Sequence, residues 1–404
     1  MQRKFYVMRG RIILTAAALV CSLGLNAQSG ANYNQTLGQD DKANAINTAV
    51  PFLRIAPDSR SGAMGDAGIA LSPDAYAQIW NSSKLAFVET PYGLSITYVP
   101  WLRQLINDMN LAYVSGYYQI DKLQAVGGSL RYFSMGNVNF YDNNGNGMGS
   151  YSPHEMAFDL SYNRKLSDNF SLGLAGRFIY SNLTGGQGGQ DNEQVESGKS
   201  FAVDINGYYT DKIKLGQYDC DWAAGFSISN LGAKLGYTAE TKNFIPTNLG
   251  IGGSLTMNID KYNKITGTID FNKLLVPTPP IYETDEVGEK HIVKGKSDDV
   301  GIIQGVFQSF GDAPDGVSEE VKEITTSIGA EYWYANQFAA RLGYFHESAK
   351  KGNRKYFTAG VGLKMKMLGL DFSYLIPAGN FSNSPLKNTW RFSLILDFEE
   401  LASK

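Results

Sequence analysis

The residues best suited to acid–base or nucleophilic chemistry in this sequence are its three histidines, His154, His291 and His346. Two of them are followed directly by a glutamate, and Ser152 lies two positions before the first histidine. A serine, a histidine and a carboxylate could together hydrolyse a lipid ester, but only if the fold brings them into contact. No serine lies in the G-x-S-x-G pattern of a nucleophile elbow. Because polar residues at the rim of a fold explain the histidines without further assumptions, we predict no catalytic residue and no enzymatic activity.

Residues 142–147 contain the beginning of a calcium-binding loop. Their sequence, Asp-Asn-Asn-Gly-Asn-Gly, matches the pattern D-x-N-x-N-G. The bidentate glutamate that completes such a loop would fall at Pro153, so the ligand set is broken. Residues 185–189, Gly-Gly-Gln-Gly-Gly, open no helix and therefore do not form a phosphate-binding loop. We interpret both stretches as glycine-rich loop tips, and we predict no metal and no cofactor.

Charged residues recur in otherwise apolar stretches, and their sign often changes from one stretch to the next. Arg131, Asp159, Arg177 and Asp204 show this change of sign. Such residues either line a water-filled lumen as solvated side chains, or pair across the lumen with one another and with a segment inside it. The second interpretation predicts a barrel that is not an open pore. The inward charges in this prediction are Arg131, Asp159, Arg177, Asp204, Asp270, Glu331, Arg341, Lys364, Asp371, Arg391 and Asp397.

Strands with a period of two must position these charges. In residues 170–181, Phe170, Leu172 and Leu174 occupy one face, and small or polar residues mostly occupy the other. Apolar residues that face lipid and polar residues that face a lumen produce this pattern, although a soluble sandwich with an apolar core produces it too. We count about fourteen such segments of roughly ten residues, which is the length of a tilted membrane strand.

The connections between these segments distinguish a membrane barrel from a sandwich. Short turns alternate with long loops, as in an outer-membrane barrel, and the one moderately long connection on the turn side is residues 211–220. We therefore predict an all-β fold, a transmembrane antiparallel barrel of about fourteen strands in the outer membrane with periplasmic termini. The predicted long loops are residues 134–153, 183–199, 231–246, 273–323, 350–354 and 379–387.

The chain divides into five parts by composition. Residues 1–27 combine a basic n-region, an apolar core and small residues at a cleavage site, and this pattern predicts a signal peptide. Its removal leaves Cys220 as the single cysteine, so no intramolecular disulfide is expected. The net charge of −3 and the lack of a basic patch exclude a nucleic-acid partner. The other parts are a flexible lead-in at residues 28–50, a hatch or plug at 51–91, the barrel wall at 92–399 and a C-terminal tail at 400–404.

Residues 51–87 are rich in glycine and alanine and carry spaced charges at Arg54, Asp58, Arg60 and Asp66. So little apolar surface cannot stabilise an independent fold. Inside a polar lumen, however, the small residues can approach the wall closely, and the charges can pair with those of the wall. We therefore predict that this segment plugs the barrel.

Two apolar stretches on the long-loop side are candidate partner-binding surfaces. The first has its apolar residues at helix-like spacing, and the second follows a proline-rich run that stiffens the chain. Apolar side chains at such places either fold over the mouth of the barrel or bind a partner, and both alternatives stay open. The candidate residues are Trp101, Leu102, Leu105, Ile106, Ile281 and Tyr282.

The plug and the stretch after it resemble a known family. PFLRIAPDSRSGAMGDAGIALSPDAYAQIWNSSKLAF (residues 51–87), followed by YGLSITYVPWLRQLINDMNLAYVSGYY (residues 92–118), closely resembles the PorV family of the Bacteroidetes type IX secretion system. The resemblance extends over essentially the whole mature chain. One departure is Trp80-Asn81-Ser82-Ser83, where the family often has W-N-P-A and therefore a proline turn. The strongest matches are residues 57–60, 64–68 and 100–103.

The resemblance implies both a fold and a role. The fold would be similar to that of the FadL fatty-acid transporters, a fourteen-stranded barrel with an N-terminal hatch. The role would be non-enzymatic: the barrel, embedded in outer-membrane lipid, receives secreted cargo by its C-terminal signal domains from the SprA/Sov translocon. It then delivers the cargo to the PorU sortase and attachment complex at the cell surface. The alternative is FadL-like transport of hydrophobic small molecules, which needs an apolar pocket near the hatch and a lateral opening in the wall.

Overall fold

Alternating apolar and polar residues form fourteen antiparallel strands that close into a barrel. The computed structural model describes residues 44–103, 106, 108–141, 147–183, 185, 196–238, 241–285, 289–378 and 384–398. In chain order the strands are β1 (Tyr92–Pro100), β2 (Asn110–Gln119), β3 (Gln124–Ser134), β4 (Val138–Tyr141), β5 (Gly147–Tyr151), β6 (His154–Lys165), β7 (Phe170–Asn182), β8 (Gly198–Leu215), β9 (Tyr218–Gly232), β10 (Asn248–Asn258), β11 (Asn263–Leu274), β12 (Ile281–Thr284), β13 (Lys290–Lys294), β14 (Thr325–Tyr334), β15 (Phe338–His346), β16 (Lys355–Met365), β17 (Leu368–Pro377) and β18 (Trp390–Phe398).

The wall follows chain order, and its seam joins the first strand to the last. Each wall strand pairs with its neighbours in sequence, β4–β5 and β12–β13 form separate two-stranded sheets, and β18 pairs with β1 to close the ring. The outer face carries the apolar residues, such as Leu174, which is 57% exposed, whereas Asp159 and Arg177 on the inner face are buried. The predicted fourteen-stranded barrel with a plug in its lumen is confirmed.

Connections of two kinds define the two ends of the barrel. The loops after β1, β3, β7, β9, β11, β15 and β17 lie at one end, the loop side, and the short turns lie at the other, the turn side. The prediction of a moderately long connection at residues 211–220 was wrong. Instead, β8 and β9 pair as far as Leu215 and Tyr218, with Gly216 at a φ of 63° in the turn. The side chains there are polar because both strands continue beyond the apolar band, so the sequence resembles that of a loop.

Among the described residues, short helices occur in the plug, in the long loop after β11 and in the loop after β15. The α-helices are α1 (Ser59–Gly62), α2 (Ala77–Trp80), α3 (Ile302–Gln308) and α4 (Val317–Lys322). Three 3₁₀ helices cover Pro51–Arg54, Ser82–Phe87 and Ala349–Lys351. Within the described residues, no helix has the length and apolarity needed to cross a membrane.

The described N-terminal segment passes through the lumen from one end to the other. On the loop side, the backbone N–H of Asn44 donates to the carbonyl of Lys350 at 2.9 Å. On the turn side, the carbonyl of Pro91 accepts from the N–H of Gln119 at 2.7 Å. Residues 56–86 between these ends are almost all buried, so the segment fills the lumen as a plug.

Glycines on both partners allow the plug backbone to lie directly against the wall. A side chain at Gly343 of β15 would collide with the backbone of Met64 and Gly65, and one at Gly329 of β14 would meet Met64 at 2.5 Å. Gly65 itself has a φ of 71° and faces the backbone of Tyr344. The run of small residues in the plug is therefore a requirement of close backbone contact.

Candidate functional site

The plug is attached to the wall by buried ion pairs, of which the largest group surrounds Glu331 of β14. Arg60 of the plug donates to Glu331 at 2.9 Å and to Asp74, also in the plug, at 2.7 Å. Arg341 of β15 donates to the other Glu331 oxygen at 2.7 Å and to Asp371 at 2.5 Å. Each carboxylate of Glu331 and Asp371 thus faces a guanidinium, which is the arrangement that makes buried charges tolerable.

A second group joins Asp66 of the plug to two wall strands. Arg391 of β18 donates to Asp66 at 3.1 Å and to the carbonyl of Ala56 at 3.0 Å. The hydroxyl of Tyr356 in β16 donates to the other Asp66 oxygen at 2.5 Å. Asp66 adopts a φ of 61°, and these contacts hold it in that conformation.

A third group lies within the wall, where Arg177 of β7 stands between Asp159 of β6 and Asp204 of β8. The guanidinium donates to Asp159, to Asp204 at 2.9 Å, and to Asn230. Arg131 of β3 is separate from this group, since it donates to the plug backbone at Leu53 at 2.7 Å. The neighbouring inward charges therefore divide into one wall cluster and one plug contact.

Two of the predicted plug charges make no ion pair with the wall among the described residues. Asp58 caps the start of α1 by accepting from the N–H of Ser61 at 2.7 Å, and it accepts from the indole N–H of Trp80 at 2.6 Å. Arg54 lies near Arg354, and burial together with this second cation lowers the pKa of Arg54 to about 10. Partners not predicted include Asp74, Tyr356 and Lys84, whose ammonium donates to the carbonyl of Gly68 at 2.6 Å.

Two cavities beside the plug are lined by both charged and apolar side chains. One of about 660 Å³ on the turn side has Lys264, Lys364, Asp74 and Glu89 among its lining residues. A smaller one of about 100 Å³ on the loop side is lined by asparagines, serines and arginines as well as apolar residues. Charged residues line both cavities, whereas a pocket for hydrophobic molecules is lined predominantly by apolar side chains.

The contact between His154 and the Ser152 hydroxyl that a hydrolytic site would need is not formed. His154 packs against Tyr132 with a ring separation of 5.8 Å, and its Nδ1 lies 3.1 Å from the carbonyl oxygen of Ser152 rather than from the hydroxyl. On the exposed β12–β13 hairpin, His291 lies 3.0 Å from Asp285 and close to Glu289. This trio could hold a divalent cation, but its own hydrogen bond accounts for the geometry. The predicted calcium-like stretch, residues 142–146, lies outside the described residues.

The first predicted partner-binding stretch is packed against the barrel mouth at one residue and exposed at another. Trp101 is partly buried against an apolar cluster that includes Phe52 and Leu53 of the plug. Leu102 has a φ of 46°, and its carbonyl accepts from the N–H of Ile106, whose side chain is exposed. Leu105 lies outside the described residues.

The second predicted stretch is open to solvent. Ile281 and Tyr282 begin β12, and each is 46% exposed. Within the same long loop, six apolar side chains on α3, on α4 and just beyond each helix are also exposed, which the sequence interpretation missed. We call this set the α3–α4 surface; its members are Ile303, Phe307, Phe310, Val317, Val321 and Ile324.

The α3–α4 surface belongs to two amphipathic helices whose apolar faces point outward. Its residues repeat at i and i+4 on each helix and at i+7 just beyond the end of each helix, with Phe307 74% and Val317 79% exposed. The opposite faces are buried, Gly305 against Phe244 and Glu319 against Lys351. A helix with buried carboxylates and exposed valines is oriented for an apolar neighbour outside the chain.

Buried ion pairs fix the orientation of α4. The ammonium of Lys351 lies 2.6 Å from Glu319 and 2.9 Å from Glu323, and Lys273 lies 2.9 Å from Glu320. Burial raises the pKa of Glu319, but the hydrogen bond and charge of Lys351, together with the hydrogen bonds from the N–H of Asp315 and the side chain of Asn44, outweigh burial, so the pKa is lowered. The apolar face is therefore held outward by charge pairing on the inner face.

Asp312, between α3 and α4, should make this loop less stable as the pH rises. Burial and the nearby Glu320 raise its pKa from 3.8 to about 6. A raised carboxyl pKa contributes stability below the unfolded value of 3.8, which is lost as the pH passes the folded value of about 6. Asp312→Asn, which keeps an acceptor for the N–H of Thr278, should slow hydrogen exchange in residues 302–322 above pH 6 and change little near pH 3.8. Asp299→Asn, at a fully exposed side chain, is the control; equal exchange in all three proteins above pH 6 would contradict the prediction.

Comparison with known proteins gives one family and several structural neighbours. The family model described as "Type IX secretion system protein PorV" matches residues 38–281. The Ralstonia pickettii toluene transporter TbuX is 11% identical, with 85% of this chain and 98% of that chain covered and a TM-score of 0.41. The P. putida toluene transporter TodX is 12% identical, with 85% and 98% covered and a TM-score of 0.44. A Pseudomonas aeruginosa FadL homologue is 11% identical, with 88% and 100% covered and a TM-score of 0.39. No curated protein matches the chain.

Proposed function

Because the chain belongs to the PorV family of type IX secretion system proteins, we propose that this outer-membrane barrel receives cargo proteins from the secretion translocon and carries them to the cell-surface sortase and attachment complex. The cargo would be recognised by its C-terminal signal domain. A barrel whose lumen is filled by its own chain favours a carrier that works by binding at its surface. The loop side would face the cell exterior, and the turn side, with both ends of the wall, would face the periplasm.

The observation that carries this proposal is the α3–α4 surface. Phe307 and Val317 are too exposed for residues that complete a core, and fully burying one such side chain is worth roughly 1.5–3 kcal/mol. The surface continues into the lipid-facing row of β14 through Ile324 and Ile328, both exposed. A partner that covers it would therefore approach from the side, at the level of the outer leaflet. A neighbouring membrane protein such as the translocon fits that position better than a freely soluble protein.

Replacement of Phe307 by Ser should weaken this association. Loss of a central aromatic anchor costs about 2 kcal/mol, or roughly thirtyfold in the dissociation constant. We expect less translocon to co-purify with the Phe307→Ser barrel from detergent extracts, and less cargo to reach the cell surface. Gln304→Ser, at an exposed polar position on the same helix, is the matched control.

Barrel abundance, measured by immunoblot and by the heat-dependent shift in gel mobility, must be equal in the two variants. If Phe307→Ser retains normal co-purification and cargo display, α3 rests in outer-leaflet lipid, and the partner binds elsewhere. Parallel substitution of Tyr282 by Ser tests the β12–β13 hairpin, which is the predicted site in the same loop. A defect with Tyr282 alone would move the docking surface to that hairpin.

A further inference from the structure

The smaller cavity, on the loop side, lies between the plug and the wall. Its volume is about 100 Å³, and hydroxyl, amide and guanidinium groups line it together with apolar side chains. One water molecule needs roughly 10–15 Å³ of such space, whereas pockets for drug-sized ligands measure about 300–1,000 Å³. The cavity therefore has room for a small ion with part of its hydration, but not for a drug-sized molecule.

Arg54 of the plug brings a positive charge to this cavity. The side chain is half-buried, and its guanidinium donates no hydrogen bond to any described residue. Burial and the nearby Arg354 lower the pKa of Arg54 to about 10, which is the response of a cation that is short of negative charge. Because a guanidinium carries several N–H donors, Arg54 can bind an acceptor that enters the cavity.

The two carboxylates at or beside this cavity already bind other guanidiniums. Glu347 accepts two hydrogen bonds from Arg354, both at 2.8 Å. Asp66, which lines the cavity, accepts from Arg391 at 3.1 Å. Three guanidiniums, including that of Arg54, therefore share two carboxylates, and one positive charge remains among these five residues.

Two buried polar atoms of the wall line the same cavity without a hydrogen-bond partner among the described residues. Ser327 of β14 is 1% exposed, and its Oγ is unpaired. The Oδ1 of Asn248 in β10 is also unpaired. Buried polar atoms are nearly always paired, so such atoms point to a ligand or to ordered water. The serine hydroxyl can donate to a charged oxygen, and the amide oxygen can accept from hydrogen phosphate or from a water of hydration.

We propose that this cavity is a binding site for a small oxyanion, held between Arg54 of the plug and Ser327 of the wall. The anion balances the remaining positive charge and joins the plug to β14 at the loop side. Its chemistry, a charged oxygen on a small group, is shared by free inorganic phosphate and by a carboxylate. The site does not depend on the proposed role in secretion.

Isothermal titration calorimetry of the barrel in detergent tests the site, with inorganic phosphate and acetate as separate probes at constant ionic strength. We expect at least one of the two ions to bind the unmodified protein. Arg54→Gln and Ser327→Ala should each weaken binding roughly tenfold or more, because each removes a hydrogen bond to a charged oxygen. Arg103→Gln, at an exposed arginine in the loop after β1, is the matched control and should bind as tightly as the unmodified barrel.

Glu347→Gln should change the affinity in the opposite direction. This variant releases Arg354 from its carboxylate, so that a second guanidinium at the cavity can bind the anion. We expect tighter binding than in the unmodified barrel, a gain that a merely structural role of Arg54 does not produce. Equal or weaker binding in Glu347→Gln would overturn the placement of the anion.

The two probes also distinguish the sources of the anion. Stronger binding of phosphate supports a free inorganic ion as the ligand, and stronger binding of acetate supports a carboxylate. If neither ion binds, water alone solvates Arg54 and the proposal is overturned. The same conclusion follows if the unmodified barrel, Arg54→Gln and Ser327→Ala bind equally. Because Arg54 bonds no described residue, Arg54→Gln should keep the heat-dependent gel shift of the folded barrel, and Ser327→Ala tests the site from the wall independently.

Discussion

Deletion of residues 44–87 should turn a barrel that does not conduct ions into one that does. The deleted segment fills the lumen, and a wall of fourteen strands encloses a wide interior once its contents are removed. Wall charges such as Glu331 and Arg391, which the plug now pairs, would face water and line an aqueous pore. Conductance of the purified proteins in planar bilayers measures the change.

The control is a deletion that removes a segment outside the lumen. Removal of the exposed hairpin, residues 281–294, should leave the barrel non-conducting. Gly343→Leu is a second test that keeps the full chain, because its side chain would collide with the backbone of Met64 and Gly65 and displace the plug locally. Gly176→Leu adds a side chain where no atom lies within 4 Å and should remain closed. Equal conductance with and without residues 44–87 would refute the assignment of this segment as the seal.

Arg177→Met should destabilise the barrel by about 3–5 kcal/mol, because it leaves two buried carboxylates without their cation. Arg177 forms an ion pair with Asp159 and another with Asp204, and all three side chains are buried in the wall. The free energy of unfolding in urea, with the protein in lipid vesicles, measures the loss. Arg164→Met, at an exposed position of β6, should leave the unfolding midpoint unchanged.

Neutralisation of the two carboxylates distinguishes loss of charge pairing from loss of packing. If the cost of Arg177→Met arises from unpaired charge, then Asp159→Asn and Asp204→Asn in the same chain should recover most of it, since amides are far cheaper to bury than carboxylates. If the triple variant is as unstable as Arg177→Met alone, shape rather than charge accounts for the effect. Unchanged unfolding of Arg177→Met itself would show that water reaches the cluster.

The barrel was predictable from sequence because apolar and polar residues alternate along each strand. This period of two indicates which face of the strand meets lipid. Leu174 and Arg177 occupy opposite phases of one strand, and the structure places them on opposite faces of the wall. The partners of the plug were not predictable, because Arg60 and Glu331 are 271 positions apart and no local pattern relates them. The departure at Ser82-Ser83 has no disruptive consequence, since these residues form a buried 3₁₀ helix against β6 and β7.

The α3–α4 surface escaped prediction for a different reason. Sequence patterns assign apolar stripes to the interior, and the spacing of Ile303 and Phe307 by itself indicates only an amphipathic helix. Which face turns inward depends on Lys273 and Lys351, which come from outside the two helices and neutralise the buried glutamates. For Trp101, the sequence left open whether the side chain folds over the mouth or binds a partner. Its packing against a cluster of plug and wall residues could not be read from local spacing.

The path of the plug has a consequence for biogenesis. If the barrel closed first, the plug would have to thread through it from the turn side to the loop side. Its polar residues would then have to move past Arg131 and Arg391. The alternative is that the wall wraps around the segment and the β1–β18 seam forms last. The plug would then act as an internal template for the growing sheet, and its charges would select the correct strand order before closure. Once the β1–β18 seam has formed, the plug passes through a closed barrel. Neither the plug nor the wall can then leave the other unless that seam reopens.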